Sequence, residues 1–176
     1  MYLDKERRII YYSCDISEEF AAWFMYSFME LDRTEGTISI VCSSLGGTYD
    51  TACIPVMDMI LWSKNHVVCY GSGAQASSQA FIFLAADERY LTSERSYILL
   101  HAGTAGNEEE MDLRDFKKAA EIVEFQMNQD MQYFSERSDK PPSYFRLGIE
   151  AGDFYLYPEK AMEIGLIHGI ANINGQ

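Results

Sequence analysis

An α/β domain, with a parallel or mixed sheet flanked by helices, is the fold this sequence predicts, on three observations. Short runs of β-branched and aromatic residues alternate with stretches of helical periodicity. The run Gly73-Ala74-Gln75-Ala76-Ser77-Ser78 puts small residues where an apolar strand should give way to an apolar helix. At 176 residues, 48% of them hydrophobic, the chain is the size of one domain, residues 1–176, with a sizeable core.

Arg8 to Ser13 reads as a first strand. Ser17 then caps a helix whose apolar positions are Phe20, Trp23, Phe24, Phe28 and Leu31, with Ser27 as the one small interruption. Thr37 to Cys42 is a second strand, broken by Gly46-Gly47. A helix from about Tyr49 to Ser63 follows, and Pro55 inside it should kink or shorten it. His66 to Tyr70 is a third strand, Ser77 to Ala86 a helix, and Tyr97 to His101 a further strand. From Met111 to Glu136 the residues Leu113, Phe116, Ala120, Val123, Met127, Met131 and Phe134 share one helical face. Such a helix is about 39 Å long at 1.5 Å per residue, longer than so small a sheet can cover. It should project and meet a second copy of the chain. Asp139-Lys140-Pro141-Pro142 ends it. A short helix (Ser143 to Ile149), a strand after Asp153, a helix (Pro158 to Ile164) and a closing strand (Leu166 to Ile170) complete the order.

The formal charge of −13 argues against wrapping nucleic acid and against anionic membranes. Met1 to Arg8 is charged from the outset, unlike a secretory signal, and no apolar run approaches a membrane span. Cys14, Cys42, Cys53 and Cys69 show no metal-ligand spacing, and three of them sit in apolar runs where free thiols are buried. A reducing cytoplasm is the expected location.

Candidate chemistry rests on three residue types in chain order. Ser77 opens the apolar helix, His101 ends an apolar strand, and Asp153 precedes Phe154-Tyr155-Leu156. A histidine can take the serine proton while a carboxylate orients the imidazole, the relay of a serine hydrolase. Each has a plainer reading: close helix packing for Ser77, a satisfied core histidine for His101, a turn cap for Asp153. Gly46-Gly47 adds a requirement of acyl transfer, because glycine lets backbone N–H groups approach a developing oxyanion. His66 and His168 read as structural or surface residues, and Glu108-Glu109-Glu110 as a solvated helix start.

In order and spacing these segments resemble the proteolytic subunit of the Clp protease, from about Arg8 onward. Ser43-Ser44-Leu45-Gly46-Gly47 is similar to the family's Ser-Pro-Gly-Gly, and Gly73 to Ser77, continued by Ala80-Phe81, to its nucleophile segment. Ile98 to His101 resembles the histidine strand. Asp153 to Leu156 and Ala161-Met162-Glu163-Ile164-Gly165-Leu166-Ile167 resemble the aspartate and its closing motif. The resemblance implies a Clp/crotonase-type repeated β-β-α core with a protruding handle helix. It implies Ser77 as nucleophile, His101 as general base and then acid, Asp153 as its orienting group, and the N–H groups of Gly47 and Ser78 as oxyanion donors. Neither metal nor other cofactor is needed. The substrate would be unfolded or extended polypeptide, cleaved inside a ring-shaped homo-oligomer.

Several positions depart from that pattern. Leu45 replaces proline, Gln79 a glycine, Ala102-Gly103 a Gln-Pro pair, and Gly152 an arginine that pairs ring to ring. The family's N-terminal axial segment is expected to be missing, and its tyrosine-rich docking strand reads Ile38-Ser39-Ile40-Val41. These changes weigh against an ATPase unfoldase partner and make a double ring less secure than a single one. A shortened relative of this kind suits a phage genome. Two rival readings use the same fold: a crotonase-like acyl-CoA enzyme, and a catalytically silent Clp-like assembly subunit.

Overall fold

Apolar alternation along Ile9–Ser13 and Ile38–Ser44 buries Ile10, Tyr12, Ile38, Ile40 and Cys42, and these strands begin the sheet of the computed structural model, which describes residues 1–103 and 112–171. β1 (Tyr2–Asp4) pairs antiparallel with β2 (Ile9–Ser13). From β2 the order continues in parallel through β3 (Ile38–Ser44), β4 (Val67–Ala76), β5 (Glu88–Leu91) and β8 (Gly169–Ile170). The last residues of β4 pair instead with β6 (Tyr97–Leu100), which carries β7 (Phe154–Leu156) antiparallel on its other side. The sheet is therefore mixed and forks along β4.

Among the described residues six α-helices pack around it: α1 (Glu18–Asp32), α2 (Ile54–Leu61), α3 (Ser78–Ala85), α4 (Leu113–Glu136), α5 (Pro142–Glu150) and α6 (Pro158–Glu163). Ser17 caps α1 as its position predicts, its hydroxyl accepting from the Phe20 N–H at 3.2 Å. The inner face of α1 lays Phe20, Phe24 and Phe28 against Tyr12 and each other, with ring centroids 4.7–6.0 Å apart. Burying each such ring stabilises the fold by about 1.5–3 kcal/mol.

Pro55 does more than shorten its helix. The five residues before α2, Tyr49–Cys53, form a π-helical turn in which the N–H groups of Cys53 and Ile54 reach back to the carbonyls of Thr48 and Tyr49. Proline has no N–H to continue an α-helical ladder from that side, so the wide turn ends where Ile54 and Pro55 begin α2.

Two strands escape the sequence pattern. β1 lies in the charged N-terminal stretch, and the first strand therefore begins before Arg8. β5 contains Glu88 and Arg89, which break apolar periodicity. Arg89 is buried nonetheless, because its guanidinium donates to the carbonyls of Leu166 at 2.8 Å, Ala86 at 3.0 Å and Arg137 at 3.4 Å. One side chain thus ties the closing segment to the ends of α3 and α4.

The long helix has two unlike halves. Met131 and Phe134 are buried and Met127 packs against the core, whereas Leu113 and Phe116 are 72% and 63% exposed. The expected start at Met111 and the run Glu108-Glu109-Glu110 lie outside the described residues. No helix among the described residues is long and apolar enough to cross a membrane.

Candidate active site

Ser77 stands at the tip of a sharp junction between β4 and α3, with φ 57° and ψ −131°. A non-glycine residue with that backbone is strained and holds its place only where its surroundings fix it. Its N–H donates to Leu99 O on β6 at 2.9 Å, and its carbonyl accepts from Ala80 at 2.9 Å. Ser77 is half-buried, while Ala76 and Ser78 on either side are 1% and 2% exposed.

The Gly46-Gly47 turn lies directly against this junction. A Cβ on Gly46 would stand 2.6 Å from Ser77 Cβ and 2.9 Å from Ala76 O, and one on Gly47 would stand 2.3 Å from Ile16 O. Both glycines have positive φ, 106° and 151°. The turn is fixed by the N–H of Gly46 on Ser44 Oγ (3.1 Å), of Ile16 on Gly46 O (3.0 Å) and of Thr48 on Ile16 O (2.7 Å). The N–H of Gly47 is left without a partner among the described residues. Ser78 is the first residue of α3, where an N–H lies outside the intrahelical ladder. Two free donors therefore flank Ser77, as an oxyanion-binding site requires. The Ser78 hydroxyl is a separate matter: it is buried with no partner among the described residues.

His101 and Asp153 arrive from the other branch of the fork. β6 and β7 end their ladder on Leu100 with Phe154, and one residue beyond that pair come His101 and Asp153. Topology thus brings all three candidate residues to one edge of the sheet. Their side chains share no hydrogen bond among the described residues. His101 Nδ1 instead lies 2.8 Å from Ala102 O, and since a carbonyl only accepts, Nδ1 carries the proton. That tautomer leaves Nε2 with the lone pair a general base uses. Asp153 is exposed and free of ion pairs among the described residues.

Beneath Ser77 lies a buried polar chain that sequence reasoning missed. Tyr12 OH donates to Gln79 Oε1 at 2.9 Å, Gln79 Nε2 to Gln75 Oε1 at 2.9 Å, and Gln75 Nε2 to Cys42 O at 3.0 Å. The Cys42 thiol also donates to Gln75 Oε1 at 3.2 Å. The sequence signal was two glutamines four residues apart in a run of small and apolar residues. All four cysteines are free thiols, and burial pushes those of Cys53 and Cys69 up.

The long helix α4 reaches the segment after the glycine turn through two hydrogen bonds, the longer from Gln126 Nε2 to Asp50 Oδ1 at 3.4 Å. Tyr49, two residues after Gly47, donates its hydroxyl to Asp130 Oδ1 on α4. Burial pushes the Asp130 carboxyl up to about 6, against the opposing hydrogen bond from Tyr49. The remaining histidines have structural partners: His66 Nε2 lies 3.0 Å from Glu88, and His168 Nδ1 accepts from the Arg89 N–H at 3.1 Å. No group of metal-ligating side chains gathers among the described residues. An apolar groove of about 450 Å³ between α1 and α2, lined by Met25, Phe28, Met59 and Trp62, contains none of the candidate residues.

Known proteins share this arrangement at the level of fold. A mutant ClpP1 from Listeria monocytogenes superposes with a TM-score of 0.83 at 21% sequence identity, covering 96% of this chain and 94% of its own. No curated protein matches the chain in sequence. The Clp protease family model matches residues 2–174, nearly the whole chain. With the ClpP/crotonase fold and a family match of that extent, the chain belongs to the Clp protease family.

Proposed function

We propose that this chain is a serine-type peptidase that cleaves extended polypeptide inside a homo-oligomer. The observation that carries the reading is the Ser77 junction itself, a strained serine held between the glycine turn and the free N–H of Ser78. Ser77 Oγ attacks the scissile carbonyl. His101 takes the proton and returns it to the leaving amine. The N–H groups of Gly47 and Ser78 receive the oxyanion. In the working state Asp153 replaces Ala102 O as the acceptor of His101 Nδ1–H. The exposed half of α4 supports assembly. Leu113, Phe116, Ile122 and Phe125 are each more than half exposed, which suits a surface covered by a second copy.

Labelling with a fluorophosphonate probe tests the assignment. Wild-type protein should label on one residue, and Ser77→Ala should abolish the adduct. An adduct that persists in Ser77→Ala, or maps to Ser78, refutes it. A wild-type chain that assembles without labelling would instead favour the silent subunit.

A further inference from the structure

We infer that Gln75 and Gln79 are positioning residues that brace the Ser77 junction by a hydrogen bond between their side-chain amides. The inference rests on reading Ser77 as the nucleophile, and it concerns how this chain holds that serine in its strained geometry.

The need for a brace arises in β4. Cys42 pairs with Gly71, but the next pair on β3 is Ser44 with Gln75, so β4 carries two more residues than β3 between those points. An irregularity of this kind leaves backbone groups without ladder partners just before the nucleophile. The Gln75 amide fills the gap, with Nε2 on Cys42 O at 3.0 Å and near Ser72 O at 3.4 Å. Gly71 makes room for it, since a Cβ there would stand 2.8 Å from Gln75 Cδ.

Gln75 alone cannot fix the far side of the junction, because Ser77 lies between it and α3. Gln79, in the first turn of α3, donates to Gln75 Oε1 at 2.9 Å, and its own Oε1 is held by Tyr12 OH on β2. Both glutamines are 0% exposed and Tyr12 is 4% exposed. A buried amide has few ways to satisfy both its ends, so the chain Tyr12, Gln79, Gln75, Cys42 O admits one direction of donation. With residues 75 and 79 tied, rotation of Ser77 out of φ 57° would break a buried bond as well as its N–H bond to Leu99.

The test measures labelling of assembled full-length protein by a fluorophosphonate, read as maximal rate and half-saturating probe concentration. Gln79→Met keeps the volume and removes both polar ends. It should lower the maximal rate about 10–100-fold with the half-saturating concentration unchanged, the cost of a misplaced reacting group. Gln79→Glu keeps the acceptor for Tyr12 and regains a donor only when protonated. Its rate relative to wild type should therefore climb toward one as pH falls. Exchange of the Ser77 amide, measured in the same variants, reads the junction without using the nucleophile and should quicken. A wild-type labelling rate and unchanged exchange in Gln79→Met would overturn the inference, leaving the amides a role in stability alone. Should Gln79→Met fail to fold, a flat pH ratio for Gln79→Glu overturns it equally. Labelling that survives Ser77→Ala would remove the nucleophile assignment, while the exchange result would still decide whether the amides brace the junction.

Discussion

The two branches of the forked sheet treat their candidate residues differently. On the β4–α3 branch the residues beside Ser77 are closely packed: Gln75, Gln79 and Ser78 are almost wholly covered, and a Cβ at Gly46 would collide with the serine. On the β6–β7 branch, His101 is half-buried, Asp153 exposed, and Gly103 has open space around the position of a Cβ. The proposed nucleophile and its two proposed donors are thus set by packing within one chain. The proposed base and its carboxylate are brought near by strand register alone. Assembly would then act on the second branch, through the handle helix that follows it, and leave the first unchanged.

The largest expected effect comes from the first branch. Ser77→Ala should lower peptide hydrolysis on the order of 10³ to 10⁶-fold, with melting temperature and oligomer size unaltered. Next comes Gly46→Ala, which forces a methyl against Ser77 and Ala76 O from a backbone that favours glycine. It should destabilise the protein by about 3 kcal/mol and abolish labelling, as read by denaturant titration and probe. Gly103→Ala, on the second branch, should move stability by less than about 0.5 kcal/mol. Equal costs at the two glycines would erase the contrast between the branches.

Much of this was legible in the residues, and the reasons for the rest are specific. Ser17 and the apolar stripe of α1 speak locally, as does the alternation of β3, so cap, helix and strand could be read directly. The candidate serine, histidine and aspartate were legible because each punctuates an apolar run. β5 was not, because Arg89 looks like a surface residue until three distant carbonyls are seen around it. The brace under Ser77 was hidden for the same reason: Tyr12 and Gln79 are 67 positions apart. The stripe of α4 reads as one surface, yet its second half, Met127 onward, is core.

That division sharpens the assembly prediction. Phe116→Asp combined with Val123→Asp should dissociate the oligomer while sparing the fold, whereas Met131→Asp should unfold it, since only the last is buried. Light scattering and far-ultraviolet circular dichroism separate the two outcomes. A wild-type chain that is monomeric at micromolar concentration would sink the chambered reading.

A pH-dependent effect links the branches through Asp130. Its carboxyl titrates near 6 in the folded chain against 3.8 for an unperturbed aspartate, so the native state binds its proton more tightly. The associated stability is present in full below pH 3.8 and is lost as pH rises through 6. Asp130→Asn keeps an acceptor for Tyr49 and removes the buried charge. It should raise stability by about 2 kcal/mol at pH 7.5, with the difference vanishing near pH 4. A gain that persists unchanged at low pH would mean the carboxylate is not the cause.

The fork in β4 also dictates an order of assembly in time. Its early residues can find β3 as soon as both have been made, but Leu100 must wait for Phe154, and Leu91 for Ile170. Pairings between such distant residues form late, because the intervening chain must be ordered before they are rewarded. Pulse-labelled exchange should show protection of β3, β4 and β6, whose partners lie near in sequence, before that of β7 and β8. A nascent chain would then hold its serine, already shaped, for the whole interval before the aspartate leaves the ribosome. On this reading a protease that cuts extended polypeptide is inert while it, and everything near it, is still unfolded.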